Sequence, residues 1–356
     1  MNLFVTFPQA LFFAFSTTVV SLFLLKPLAL KYGLVDVTNH RKHHVGEIPL
    51  IGGIAMFCGI LISAFLLLPK TWVSMTWLFA SAGIVILGVW DDAKDLPVKF
   101  RLIVQAVVTL ILSVGSGYYL IDLGDLLGIG QINLGLFGYV LTAFAVIGAI
   151  NAFNMMDGID GLAGTMALVS FVTLAILFWI NADSYGFYVS CILSIVILPY
   201  LANNLLIPPF KHKIFMGDAG AMLIGFSIVW LLIYGSQSIP PGKEISFSPI
   251  TALYIIAIPL MDMVTIMIRR IKRKKSPFMA DRDHLHHVLM RAGFSSIQIL
   301  LIITFIAMTL ALIGVLAHSF LVSELLMFVM FILLFILYNV FIQYAWKIPR
   351  FTFKTK

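Results

Sequence analysis

The sequence predicts an all-α integral membrane protein with about eleven transmembrane helices and its candidate functional residues at the cytoplasmic face. Three observations lead there. The 356 residues are 61% hydrophobic and only 11% charged, with a mean hydropathy of +1.05; a soluble domain needs far more polar surface to cover its core. Apolar runs long enough to cross a bilayer, about 20 residues each, recur along the whole chain with short polar breaks. When the runs are threaded alternately through a membrane, every basic residue except Lys70 and Lys243 falls on one side, the asymmetry that marks a cytoplasmic face.

The expected spans are 3–25, 50–68, 72–90, 101–121, 136–153, 161–180, 186–206, 219–237, 249–268, 297–317 and 322–344. The first is too long for a signal-peptide core and lacks a small-residue cleavage site before Lys26, so it reads as a retained helix. The second follows a basic loop and Gly52-Gly53, the third ends on Asp91-Asp92, and the fourth opens at Arg101. The fifth runs into an Asn, Asp and Gly-rich turn, and short polar breaks separate the sixth and seventh. The eighth opens on Gly217-Asp218-Ala219-Gly220, and the ninth runs into Arg269–Lys275. A polar loop then precedes the last two spans. The N-terminus is expected outside and the C-terminus inside, with cytoplasmic loops at about 26–49, 91–100, 154–160, 207–218 and 269–296 of a single domain, 1–356. No linker, repeat or low-complexity tract divides it. Cys58 and Cys191 lie in apolar runs and read as inert thiols. The net charge of +7 is spread over separate loops, so it reports topology and not nucleic-acid binding.

The acids carry more information. Asp36, Asp91, Asp92, Asp95, Asp157, Asp160, Asp218, Asp281 and Asp283 all map to the cytoplasmic helix ends and loops, where a carboxylate avoids the cost of the bilayer centre. Asp91 and Asp92 crowd a helix C-terminus, where the macrodipole disfavours acids, and Asp95 follows one turn on if the helix continues. Paired carboxylates bind divalent cations or share acid–base work. Asn151, Asn154, Asp157 and Asp160 recur at three-residue spacing, which one helical face would gather; Gly158 and Gly161 argue instead for a bend open to a ligand. Asp218 suits an N-cap, while the glycines around it suit phosphate at a helix start. An acid there tolerates phosphate only through a bridging cation. The basic run 269–275 reads as anchoring to anionic lipids. His284, His286 and His287 do not match common zinc spacings and suit phosphate contacts, since imidazole donates or carries charge near neutral pH.

In order, Arg41-Lys42-His43-His44 with Pro49-Leu-Ile-Gly52-Gly53, the Asp91-Asp92 pair, Asn151–Gly161, Gly217-Asp218-Ala-Gly220 and His284-Leu-His286-His287 resemble the polyprenyl-phosphate N-acetylhexosamine-1-phosphate transferases over nearly the whole chain. The branch most resembled joins N-acetylglucosamine-1-phosphate from UDP-GlcNAc to undecaprenyl phosphate in the bacterial inner membrane, for O-antigen, enterobacterial common antigen or related polysaccharides. Leu285 interrupts a histidine run that is continuous in another branch, and Ile48 stands where that branch has threonine. The resemblance implies that Asp218 and Asn154 hold Mg²⁺, with Mn²⁺ as an alternative, and that Phe215 stacks on uracil. It puts Asp160 at the uracil edge and Asn151 and Asp157 close to the nucleotide. The histidines approach diphosphate and sugar, and Arg101 falls where some relatives have a phosphate-binding lysine. Asp91 or Asp92 would orient or deprotonate the lipid phosphate, by direct attack or through a covalent aspartyl-phosphate. Asp36, His44, Asp95 and Asp262 are secondary candidates. Membrane lipids are expected partners, and a homodimer is left open.

Two other readings compete. Asp91-Asp92-x-x-Asp95 fits an aspartate-rich prenyltransferase, though the Asn151–Gly161 and histidine motifs do not. Asp262, inside the ninth span, favours a secondary transporter, whose sites lie near the bilayer midplane, or else it lines the catalytic cleft.

Overall fold

The computed structural model describes residues 3–36, 46–239, 243–276 and 284–345, with side chains from residue 7. In chain order the helices are α1 (Leu3–Tyr32), α2 (Gly52–Leu67), α3 (Trp72–Lys94), α4 (Val98–Ser116), α5 (Phe137–Met156), α6 (Leu162–Ile180) and α7 (Ser184–Asn204). They continue with α8 (Gly217–Ser236), α9 (Pro249–Ile255), α10 (Ala257–Lys272), α11 (Leu285–Ala292), α12 (Ser296–Ser319) and α13 (Glu324–Ala345). Strands β1 (Val35–Asp36) and β2 (Ile48–Pro49) pair antiparallel.

Nine of the described helices are long and apolar enough to cross a membrane, and the protein is a multi-pass membrane protein. Two of the eleven expected spans differ from a simple crossing. The expected span 50–68 is the 16-residue α2, shorter than the usual 20, because the residues before it are used elsewhere. Phe215 donates its N–H to Pro49 O, and Gly52 and Gly53 donate to the carbonyls of Phe215 and Met216. The expected span 249–268 is broken into α9 and α10, which meet at 83°. Pro259 explains the break: it has no N–H for Ile255 O, and its ring crowds that carbonyl.

The bundle is organised around α8. Every α8 residue except Asp218 is buried, and the helix packs against α2, α3, α5, α6, α7 and α9. Small residues permit this, as they do wherever membrane helices approach closely. A Cβ at Gly53 would lie 2.2 Å from Gly220 N, and one at Gly88 would lie 2.3 Å from Ala219 Cα. Phe12, Phe79, Phe144, Phe305 and Leu337 point outward, as lipid-facing side chains do. α13 is peripheral and packs chiefly on α9, α10 and α11.

Candidate active site

The last turn of α3 resolves the conflict that its acids create. Asp91 is 3% exposed; one carboxylate oxygen accepts the Leu96 N–H at 2.8 Å and the other accepts the Arg101 guanidinium. Asp92 reaches across to α8, accepting the N–H groups of Asp218 at 2.8 Å and Ala219 at 3.2 Å. Its acceptor oxygens therefore sit at the positive end of another helix dipole. Asp92 caps α8 from outside, so Asp218 is free of that duty: it lies in the first turn, and Met216 occupies the N-cap position without a side-chain bond. Asp95 does not continue the acidic face. It ends α3 in the left-handed region with φ 48° and is exposed, so the aspartate-rich diphosphate pattern is not assembled.

Over 151–160 the chain takes the bend that Gly158 and Gly161 argue for, and no single helical face forms. α5 stops at Met156, leaving Asn151 and Asn154 on the helix and Asp157 and Asp160 on the turn after it. Gly161 turns the chain with φ 74°, a conformation that costs glycine little. Asn151 donates to Ile147 O at 2.7 Å and lines a crevice with Arg101, Gln105 and Asn154. Asn154 lies beside the Asp218 side chain, and Arg101 Nη1 lies 3.9 Å from Asp218 Oδ2. Asp157 opens into this cleft but is crowded by protein. Loss of solvation, then the charges of Asp218 and Asp160, push its carboxyl up to about 7.

The third component is the 213–216 segment. Lys213 pairs with Asp160 at 2.5 Å, and its ammonium sits 5.5 Å above the Phe215 ring centroid. Asn204 joins this segment to the turn: its Oδ1 accepts the Gly161 N–H at 2.6 Å and its Nδ2 donates to Ile214 O at 2.9 Å. Sequence reasoning missed Asn204 and Lys213, although the amide pair Asn203-Asn204 at the end of an apolar helix was a usable signal.

The histidine motif is anchored through Asp262. This buried carboxylate meets His284 Nδ1 at 2.7 Å, accepts the Leu285 N–H at 3.0 Å and accepts the Tyr338 hydroxyl at 2.7 Å. Nothing in the sequence marked Tyr338. His286 is 1% exposed and lies against the turn after α5, where a Cβ at Gly158 would fall 2.4 Å from its Nε2. Neither His286 ring nitrogen has a hydrogen-bond partner among the described residues. Burial, then the neighbouring His287 and His284, lower its pKa to about 3. Of the two roles open to it, donating or carrying charge, this favours a neutral imidazole that donates. His287 lies 4.1 Å from His286 between ring centroids. Asp36 is in β1, in register with Ile48. His44, Asp281 and Asp283 lie outside the described residues.

Among the described residues no three His, Cys, Asp or Glu side chains gather closely enough to hold a metal by themselves. Asp218 and Asn154 nevertheless present adjacent oxygen donors. That set suits Mg²⁺, which takes one or two carboxylates and fills its remaining positions with water and substrate phosphate.

Acids, amides and imidazoles from α3, α5, α8, α10 and the histidine segment thus meet at one end of the bundle, while Asp122, Asp183, Lys243 and Glu324 mark the other. A buried membrane bundle with a polar cleft of this kind at its helix ends is the architecture of a membrane transferase acting on charged substrates. The profile of glycosyl transferase family 4 matches residues 74–236, a stretch holding three of the five motifs. The chain is 45% identical to undecaprenyl-phosphate alpha-N-acetylglucosaminyl 1-phosphate transferase of Escherichia coli strain K12, over 100% of this chain and 96% of that protein. It is 45% identical to the protein of that name in Salmonella typhi, over 96% and 92%, and 43% identical to that in Haemophilus influenzae, over 98% and 97%. The chain belongs to glycosyl transferase family 4 and is an enzyme.

Proposed function

We propose that this enzyme transfers N-acetylglucosamine-1-phosphate from UDP-GlcNAc to undecaprenyl phosphate, releasing UMP and forming undecaprenyl-diphosphate-GlcNAc. The product would begin O-antigen, enterobacterial common antigen or a related polysaccharide. The observation that carries the reading is the meeting of Asp92, Asn154, Asp157 and Asp218 with Arg101 and His286 around one cleft. Full-length similarity to enzymes of that name supports it. The apolar cavity along the 83° break at Ile256, lined by Leu253, Pro259, Leu260 and Met263, favours a lipid substrate. We also infer that the site faces the cytoplasm of the bacterial inner membrane, with the N-terminus periplasmic, because Lys70 and Lys243 alone among the basic residues fall on the opposite side.

A lipid phosphate oxygen attacks the β-phosphorus of UDP-GlcNAc; the new P–O bond forms as the bond to the α-phosphate bridging oxygen breaks, and UMP departs. Each pair of like charges near 4 Å costs about 4 kcal/mol at an effective dielectric of 20, so the cations and donors of the cleft have several such pairs to offset. Bound Mg²⁺ would neutralise diphosphate charge, held by Asp218 and Asn154. Arg101, kept in position by Asp91, faces the same anions. Asp92 orients the lipid phosphate. Uracil stacks on Phe215 and is read by Asp160, taking the room over the ring that Lys213 occupies. His286 donates to the diphosphate or sugar as a neutral imidazole.

The transporter reading loses its main residue, because Asp262 is fully engaged as the anchor of the histidine motif. Purified protein with Mg²⁺, undecaprenyl phosphate and a panel of UDP-sugars, analysed by mass spectrometry, tests the proposal. Undecaprenyl-diphosphate-GlcNAc and equimolar UMP are expected. Preference for another UDP-N-acetylhexosamine would overturn the donor, and an absence of any diphosphate-linked product would overturn the reaction.

A further inference from the structure

A second polar cavity lies outside the active site, between α10 and α13. Its volume is about 390 Å³, and Thr265, Arg269 and Lys272 line one wall while Asn339, Gln343 and Tyr344 line the other. The spacing explains the cavity. Positions 265, 269 and 272 recur at i, i+4 and i+7 on α10, so they form one stripe, and 339 and 343 fall on a matching stripe of α13. Two cations and four neutral polar groups therefore line the cavity, and none of the described lining residues is an acid. The Thr265 hydroxyl is buried with no hydrogen-bond partner among the described residues, although a mid-helix threonine can bond its own preceding turn. No described carboxylate forms an ion pair with Lys272.

Depth and surroundings suggest the occupant. Gln343 lies 19 residues beyond Glu324, the first polar residue of α13, which is about 28 Å of helix at 1.5 Å per residue. A bilayer hydrocarbon core is about 30 Å thick, so the cavity opens at headgroup depth opposite Glu324. Beneath it, Ile336, Leu337 and Val340 are exposed and offer a surface for acyl chains. Cations at headgroup depth above an apolar wall suit a phosphate that carries lipid tails. Basic pockets between helices on the cytoplasmic side recognise anionic headgroups in this way.

We propose that this cavity binds the phosphate headgroup of an anionic phospholipid of the surrounding membrane, and that the bound lipid clamps α10 to α13. The clamp bears on the active site because Tyr338, next to Asn339, bonds Asp262, one turn before Thr265 and the carboxylate that holds His284. Binding itself does not depend on which sugar the enzyme transfers.

The test uses the full-length protein in detergent, with phosphatidylglycerol, phosphatidylcholine, undecaprenyl phosphate or inorganic phosphate as probe and native mass spectrometry as readout. Phosphatidylglycerol should be retained over phosphatidylcholine. Lys272→Gln should weaken that retention about fivefold, the effect of one basic residue at a membrane surface. Thr265→Val, which keeps the side-chain shape, should weaken it too, while Lys211→Gln in a distant exposed loop should not. In vesicles, added phosphatidylglycerol should raise turnover of the wild type more than that of Lys272→Gln. Equal loss in Lys211→Gln and Lys272→Gln would reduce the effect to general surface charge and overturn the site. Displacement of phosphatidylglycerol by undecaprenyl phosphate would make the cavity a substrate port, and displacement by inorganic phosphate would remove the need for a lipid; either result overturns the proposal.

Discussion

Replacing Gly88 with alanine tests the close backbone approach of α3 to α8 at the active site. The new Cβ would lie 2.3 Å from Ala219 Cα and 2.5 Å from Ala219 N, whereas carbon atoms settle near 3.5 Å or more. Both obstacles are backbone, so no side chain can swing aside, and α3 and α8 must part by roughly 1 Å. The Asp92 carboxylate accepts the Asp218 and Ala219 N–H groups at 2.8 and 3.2 Å. A further 1 Å takes both beyond hydrogen-bond range and moves Asp218 relative to Asn154. Misplacement of that size costs on the order of 100-fold in turnover, and overpacking costs about 1–3 kcal/mol of stability. The assay is kcat for UMP release, with thermal unfolding in detergent to establish that the variant is folded. Gly83→Ala on the same helix is the control, because its Cβ would meet only the Val108 side chain, at 3.4 Å, and it should stay close to wild type. A folded Gly88→Ala enzyme with turnover within threefold of wild type would refute the idea that the Asp92 contact to α8 sets the site.

Asp218→Asn should lower activity most at low Mg²⁺ and recover in part as Mg²⁺ is raised, since the amide keeps the shape but not the charge; an unaltered Mg²⁺ dependence would remove Asp218 from the metal site. Tyr338→Phe should cost about 1.5–3 kcal/mol of anchoring, the value of a hydrogen bond to a charged group, read as faster amide exchange across α11; unchanged exchange would exclude Tyr338 as an anchor. Burial lowers the His286 pKa to about 3 from the ordinary 6.5, so between those values the unfolded chain binds more protons and stability falls as pH falls. Near pH 5 the loss approaches about 2 kcal/mol, and His286→Gln should melt with less acid sensitivity; equal sensitivity would refute the assignment. In a background without Cys58 and Cys191, cysteines at Leu321 and Lys211 should label from opposite sides of the membrane, and labelling from one side would refute the topology.

The helices were legible because lipid imposes a length and a composition on each of them, and the acids were legible because they can gather only where the apolar runs stop. What joins them was not. Asp92 looked misplaced at the end of α3 because its partners, two N–H groups of α8, lie more than a hundred residues further on. Asp262 looked like a lone intramembrane charge because His284 and Tyr338 come from other segments. The break before α10 was signalled by Pro259, yet a count of apolar residues passes over a proline whose neighbours are all hydrophobic. Three-residue spacing over 151–160 suggested one helical face while Gly158 and Gly161 argued for a bend, and the bend prevails because periodicity says nothing of where a helix ends.

The burial of α8 has a consequence for how the enzyme is made. α8 is apolar enough to cross a bilayer unaided, and its small residues let the earlier helices close around it. Synthesis delivers α1 through α7 first, and docking α8 among them carries Asp218 to Asp92 and Asn154 in one movement. At that moment, near residue 236, a growing chain already holds the acidic half of its active site. Asp262, the histidines and Tyr338 emerge later and are laid over it, so the order of translation is also the order in which the cleft acquires its two halves.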